Sequence, residues 1–291
     1  MSQNQLHPMD GKVCLVTGAT HGIGKETALA LAQMGATVVI VGRSEAKCAA
    51  VVSEIKQASG NEAVEAMIAD LSVMTEVQAL ADQFKATYPK LHVLVNNVGA
   101  SSEHRQVTPE GFEKTFALNH LSYFLLTDLL LERLKASAPA RIVNVSSAAH
   151  KGVQMDFDDL QFEKNYTGFM AYRRSKLANV MFTYELARRL AGTNVTANAL
   201  HPGFVASNFG KGESWPMRAA MTLASLFAIS PEQGAETSIY LATSEDVDGV
   251  SGKYFDKRKP MQSSAASYDE DAARRLWELS AQLTGLAGQT L

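Results

Sequence analysis

Tyr172 and Lys176 stand four residues apart in the run Tyr172-Arg173-Arg174-Ser175-Lys176. On a helix that spacing puts both side chains on one face, about one turn apart. An ammonium beside a phenol favours the phenolate, so Lys176 is expected to lower the pKa of Tyr172 from its ordinary value of about 10. A tyrosine tuned in this way gives a proton to a carbonyl oxygen, or takes one from an alcohol, near neutral pH. The same pair also suits an amphipathic surface helix, and the remaining motifs decide between the two.

A second group of residues points to an anion. The apolar run Val13-Cys14-Leu15-Val16 leads directly into Thr17-Gly18-Ala19-Thr20-His21-Gly22-Ile23-Gly24 and then a helical pattern. Glycines there let the turn close tightly, bring backbone N–H groups to a pyrophosphate and seat the helix on the sheet. The helix N-terminus adds a favourable dipole. The spacing is T-G-x-x-x-G-x-G rather than G-x-G-x-x-G.

About 20 residues beyond such glycines an NAD site carries an acidic residue. This chain has Val41-Gly42-Arg43-Ser44 at that place. Arg43, with Ser44 and Lys47, would clamp the 2′-phosphate of NADP(H), a task suited to the guanidinium fork. His21 adds a further donor. In the alternative, Arg43 is a solvated residue at a helix start, paired with Glu45.

The elements that would position these groups are legible as an alternation. Short β-branched runs at Val13–Val16, Thr37–Val41, Ala63–Ile68, Val93–Val95, Arg141–Val145, Val195–Leu200 and Lys253–Phe255 are separated by helical patterns. The helices fall at Gly24–Met34, Glu45–Ala58, Val73–Tyr88, Pro109–Ala136, Phe169–Leu190 and near Pro231–Leu241 and Asp269–Leu283. Near-continuous apolar strands alternating with helices predict a parallel sheet covered on both faces. The expectation is one doubly wound α/β domain of the Rossmann type over residues 1–291, with a mostly parallel seven-stranded sheet.

With 46% hydrophobic and 20% charged residues, the chain has the apolar content for one large core. A formal charge of −3, without a basic run carrying interleaved aromatics, argues against a nucleic-acid partner. Cys14 and Cys48 lack the spacing of a disulfide framework or a zinc site, and the histidines form no metal-binding motif. Met1–Gly11 is polar, unlike a signal peptide or anchor. The longest apolar stretch, Ala219–Ile229, is about half the roughly 20 residues a spanning helix needs. A cytoplasmic protein without a metal or an integral membrane anchor is expected.

Together the motifs resemble the short-chain dehydrogenase/reductase family from about Lys12 to Phe255. Asn96-Asn97-Val98-Gly99 is similar to that family's N-N-A-G stretch, with Val98 in place of alanine. Asp70-Leu71 sits where the family touches the adenine ring. Ser147 matches the catalytic serine, Asn119 the active-site asparagine, and Pro202-Gly203, with Val205 and Ser207 beyond, the segment bordering the nicotinamide. A narrower likeness is to the retinol-dehydrogenase-like and WW-domain-oxidoreductase-like branch. It rests on Asn119-His120-Leu121, Val143-Asn144-Val145-Ser146-Ser147, Ser175-Lys176-Leu177-Ala178-Asn179 and His201-Pro202-Gly203.

The resemblance implies reversible hydride transfer between NADP(H) and a carbonyl or alcohol carbon. Tyr172 would handle the oxygen's proton and Ser147 would orient that oxygen. Lys176 would act on Tyr172 and the nicotinamide ribose. Asn119 would hold a relay water or have only a structural part. Ser146 is expected to bond backbone or, in the alternative, to share the task of Ser147. Leu177, Val180, Met181 and Tyr184 are expected to form the buried stripe of their helix, with Tyr172 and Lys176 at its edge. The segment 154–167 reads as an exposed insertion beside the pocket. The stretch 203–230 reads as a flap over an apolar substrate, or as a core-covering or dimer-forming helix. The resemblance also implies a homodimer through the helices Pro109–Ala136 and Phe169–Leu190. The competing functions are reduction of a C=C bond, as in protochlorophyllide reductases, and non-catalytic NADP(H)-binding regulation.

Overall fold

A computed structural model describes residues 7–204 and 228–288. Among these residues, β1 (Val13–Thr17), β2 (Thr37–Gly42), β3 (Val64–Ile68), β4 (Val93–Asn96), β5 (Ala140–Val145), β6 (Val195–His201), β7 (Tyr254–Asp256) and β8 (Lys259–Met261) form one sheet. The helices are α1 (Gly22–Gln33), α2 (Glu45–Ser59), α3 (Met74–Thr87), α4 (Lys114–Phe116), α5 (Ser122–Ala136), α6 (Gly168–Arg189), α7 (Pro231–Thr243) and α8 (Glu270–Leu283). The strand order is β3-β2-β1-β4-β5-β6-β7-β8, so the winding reverses between β1 and β4. That reversal opens a crevice at the carboxyl ends of those two strands, where ligands of open α/β sheets bind.

Successive residues of each central strand face opposite layers, which accounts for the unbroken apolar runs. Leu15, Val39, Val41, Leu94 and Ile142 enter the core shared with α3, α5, α6 and α8. Cys14, Val16, Val38, Ile40, Val95 and Val143 enter the other core, with α1, α2 and α7.

Three details differ from the sequence reading. The sheet has eight strands rather than seven, because β8 returns antiparallel along β7. The connecting Lys257 and Arg258 both have positive φ, 49° and 62°, residue types that do not announce such a turn. Pro260 is tolerated there because β8 is an edge strand.

The helix expected from Pro109 begins instead at Lys114. The buried Glu113 carboxylate caps it, accepting from the N–H groups of Thr115 and Phe116 at 2.8 Å each. Between α4 and α5, residues Ala117–Leu121 make a π-helical turn with Asn119 at its centre.

Finally, α6 has no single buried stripe. Leu177, Val180, Met181 and Tyr184 are buried, but so are Lys176, Asn179, Phe182, Thr183 and Glu185, because α8 covers the side of α6 that would otherwise meet solvent. No helix among the described residues is long and apolar enough to cross a membrane.

Candidate active site

The glycine turn is held from below by β4. Thr17 Oγ1 accepts from the N–H groups of Asn97 (2.9 Å) and Val98 (3.2 Å), and Asn97 Nδ2 donates to the carbonyls of Thr17 (2.9 Å) and Gly18 (3.2 Å). Gly18, at φ +65°, leaves only 2.8 Å between a notional Cβ and the Cα of Val98. At Gly24 a Cβ would lie 2.5 Å from Asn97 Nδ2 and 2.6 Å from the Gly18 carbonyl oxygen. Both glycines are therefore required by close packing within the protein.

Gly22 differs: at φ +57° it has nothing within 4 Å of its Cβ position. His21, at the N-cap of α1, makes no capping bond, and the first turn holds no acidic residue. The turn thus offers open space lined by N–H groups of Gly22, Ile23 and Gly24, a cradle that fits a pyrophosphate. Thr20 Oγ1 meets His21 Nδ1 at 3.4 Å on its rim.

At the carboxyl end of β2, Arg43 is exposed. Ser44 caps α2 by accepting from the N–H of Lys47 at 3.5 Å, while Lys47 points to solvent. Asp70 accepts from the N–H (2.9 Å) and hydroxyl (2.7 Å) of Ser72. Burial pushes the Asp70 pKa up, but the bonds from Ser72 and the charge of Arg43 outweigh it, and the net shift is downward. Leu71 is buried beside it. An exposed cation at this place can meet a phosphate group of a dinucleotide.

Ser146 and Ser147 follow β5 and divide their work. Ser146 Oγ donates to the Lys176 carbonyl at 2.8 Å, a backbone bond as expected. Ser147 Oγ accepts from the N–H of Ala149 at 3.2 Å and shares a hydrogen bond with the hydroxyl of Tyr172. Lys176 Nζ donates to the Val145 carbonyl at 2.9 Å and stands 5.7 Å from the ring centroids of both Tyr172 and Tyr123.

The expected electrostatics are reversed in the protein alone. Burial pushes the pKa of Lys176 down to about 7, and burial raises that of Tyr172 despite the opposing bond from Ser147. In both groups desolvation is the largest cause, and it disfavours the charged form of each.

Asn119 is wholly buried and its side chain is engaged. Its Oδ1 accepts from the Ala100 N–H, and its Nδ2 donates to the Ala100 carbonyl and to Ser175 Oγ, each at 2.9 Å. It ties the loop after β4 to α6 one residue before Lys176. Gly99 lies in that loop, and a Cβ there would come within 3.2 Å of Lys176 Nζ.

Pro202 is partly buried at the end of β6, and Gly203, at φ +90°, packs so that a Cβ would meet Ile229 at 2.5 Å. Val205, Ser207 and most of the expected flap lie outside the described residues.

The insertion touches the loop after β4, where Tyr166 donates to the Ser102 carbonyl at 2.8 Å and Arg105 to that of Gln161 at 2.9 Å, and it also reaches the far side of α6. Arg174 bonds Asp156 at 3.4 Å and lies 4.6 Å over the ring of Phe162, while Met155, Phe157, Met170 and Arg275 help line a cavity of about 500 Å³. Positions 170 and 174 are two residues on either side of Tyr172, so they lie on the opposite face of α6. The insertion packs on that reverse face as well as on the loop after β4. Sequence reasoning also gave no part to two histidines at the site. His150 donates through Nδ1 to the Ser147 carbonyl at 2.6 Å, and His201 Nδ1 accepts from the N–H of Ala148 at 3.2 Å. The one available signal was position: His150 stands three residues after Ser147.

The profile of the family described as short chain dehydrogenase matches residues 12–216. Retinol dehydrogenase 12 of Mus musculus is 47% identical over 95% of this chain and 87% of its own length. Polyprenol dehydrogenase of Homo sapiens is 41% identical over 98% of this chain and 88% of its own length. A short-chain dehydrogenase of Escherichia coli CFT073, solved in complex with NADPH, superposes with a TM-score of 0.68 at 25% identity, covering 88% of this chain and all of that one. The chain belongs to the short-chain dehydrogenase family, in its retinol-dehydrogenase-like branch.

Proposed function

We propose that this oxidoreductase interconverts an apolar alcohol and its aldehyde or ketone with NADP(H), and that isoprenoid alcohols are its substrate class. The observation that carries the reading is the hydrogen bond between the hydroxyls of Tyr172 and Ser147, with Lys176 one helical turn from Tyr172 and the loop after β4 between this pair and the glycine turn. A bound nicotinamide dinucleotide supplies or accepts the hydride. Gly22, Ile23 and Gly24 would hold its pyrophosphate, and Arg43 with Ser44 its 2′-phosphate. Ser147 binds the substrate oxygen and fixes its direction. Tyr172 gives that oxygen its proton during reduction and takes it back during oxidation. Lys176, charged below about pH 7 in the protein alone, favours the phenolate of Tyr172 when it is protonated. Asn119 holds the Gly99-Ala100 loop against α6 so that Lys176 keeps its place.

The substrate class is supported by the names of two relatives, a retinol and a polyprenol dehydrogenase, since both substrates are long isoprenoid alcohols. NADP(H) is supported by Arg43 and by the NADPH bound in the bacterial relative. The test is oxidation of NADPH and NADH by purified protein with retinal and shorter prenyl aldehydes, with Tyr172→Phe as control. Turnover with NADPH should fall by about 10²- to 10⁴-fold in the variant while NADPH still binds. A variant as active as the wild type would remove Tyr172 from the chemistry.

A further inference from the structure

His150 is wholly buried in the short turn Ala148–His150 that follows Ser147, and both of its ring nitrogens are engaged. Nδ1 lies 2.6 Å from the Ser147 carbonyl oxygen, and Nε2 lies 3.1 Å from the backbone nitrogen of Ser264. An amide N–H can only donate, so Nε2 is the acceptor and the ring proton sits on Nδ1, pointing at Ser147. The ring is also packed against Tyr254 of β7, with centroids 4.8 Å apart.

The segment that fixes Nε2 is itself fastened to α6. Ser263 Oγ meets the hydroxyl of Tyr184 at 2.7 Å and Ser267 Oγ at 2.6 Å, and Ser267 Oγ donates to the Ser264 carbonyl at 2.6 Å. Tyr184 stacks on Tyr268, whose hydroxyl accepts from the Ser263 N–H at 3.1 Å. Tyr184 lies on the same helix as Tyr172 and Lys176. Through His150, the backbone that carries Ser147 is therefore referenced to the helix that carries the proton donor.

We propose that His150 is a positioning residue: its Nδ1–H holds the Ser147 carbonyl, and with it the direction of the Ser147 hydroxyl, while the bond from the Ser264 N–H to Nε2 keeps that proton on Nδ1. The proposal rests on the reading of Ser147 as the group that binds the substrate oxygen. Ser147 has an extended backbone, φ −161° and ψ 153°, and its own hydroxyl is fastened to the protein by a 3.2 Å bond from Ala149. Fixing its carbonyl removes the rotation that would otherwise swing the hydroxyl away from Tyr172. A displacement of about 1 Å in such a group costs up to about 100-fold in rate.

Two substitutions separate positioning from mere core filling. Asparagine places its amide near Nδ1 and keeps a donor for the Ser147 carbonyl. Glutamine places its amide near Nε2 and keeps the link to Ser264. Both variants should lose thermal stability. His150→Asn should keep kcat within about threefold of the wild type, whereas His150→Gln should lose about ten- to a hundredfold in kcat with KM for NADPH unchanged. Parallel losses of stability with wild-type kcat in the folded fraction of both variants would overturn the proposal, as would equal losses of kcat. If the glutamine variant does not fold, His150→Ala takes its place in the same comparison. Ser147→Ala is measured alongside. Its full activity would sink the catalytic reading itself, whereas an inactive Ser147→Ala with an active His150→Gln would sink only the role given to His150.

Discussion

At the scale of single residues, the site contains a lysine whose burial works against its charge. Lys176 has its folded pKa pushed down to about 7, against about 10.4 for a free lysine. Between those values the unfolded chain binds a proton that the folded chain does not, so stability rises with pH across that window. In the cofactor-free protein, the wild type should gain on Lys176→Met between pH 7 and pH 9, by at most about 1.4 kcal/mol per pH unit. Chemical denaturation of both proteins at the two pH values measures this. A constant gap would mean that Lys176 stays charged when folded. Arg43 gives a second test, because it is exposed at the end of β2 and close enough to depress the pKa of Asp70. Arg43→Ala should weaken NADPH binding by about ten- to a hundredfold and NADH binding by less than about threefold. Titration calorimetry with both dinucleotides decides, and equal losses would exclude a 2′-phosphate contact.

At the scale of elements, the glycine turn separates packing from binding. Gly24→Ala would press a methyl group onto Asn97 Nδ2 and the Gly18 carbonyl, 2.5 and 2.6 Å away, so the turn must open and stability should fall by about 1–3 kcal/mol. Gly22→Ala meets no protein atom within 4 Å and should cost only the left-handed conformation, about 1–2 kcal/mol, while its methyl enters the space offered to the pyrophosphate. Dinucleotide affinity should therefore drop in Gly22→Ala well beyond what its stability loss explains; unchanged affinity would move the pyrophosphate elsewhere. The turn was legible in the sequence because glycine spacing directly encodes backbone geometry. The strands were legible because burial on both faces writes an unbroken apolar run. The π turn around Asn119 and the basic hairpin of Lys257 and Arg258 were not, because each is held by bonds to residues distant in sequence, and the cap by Glu113 was not, because glutamate is not among the usual capping residues. The pairing of Lys176 with Tyr172 was legible as a spacing, but its electrostatic sign was not, since desolvation is set by everything that packs around α6. His150 was illegible for the same reason: its partner Ser264 lies 114 residues away.

At the scale of the whole molecule, α8 determines what surface is left for another chain. The resemblance implied a homodimer formed through the helices that include α5 and α6. In the fold those two helices are already covered: Trp277 of α8 sits edge-on to Phe124 of α5 at 4.9 Å, stacks on Phe182 of α6 at 5.7 Å, and has Arg189 4.4 Å over its ring. Trp277 is 4% exposed and Leu276 1%. Apolar area of this kind holds a helix in place at about 25 cal/mol per Å² buried, so a second chain would have to displace contacts as good as those it offers. A pair formed through the faces of α5 and α6 that α8 covers is therefore not expected, and light scattering across the micromolar range, read beside the stability of α8, tests this. Trp277→Ala should cost about 3–5 kcal/mol in urea denaturation, the range for a large aromatic removed from a packed core. A dimeric wild type, together with a Trp277→Ala loss below about 1 kcal/mol, would mean that α8 leaves its seat easily and that a partner's helices take its place.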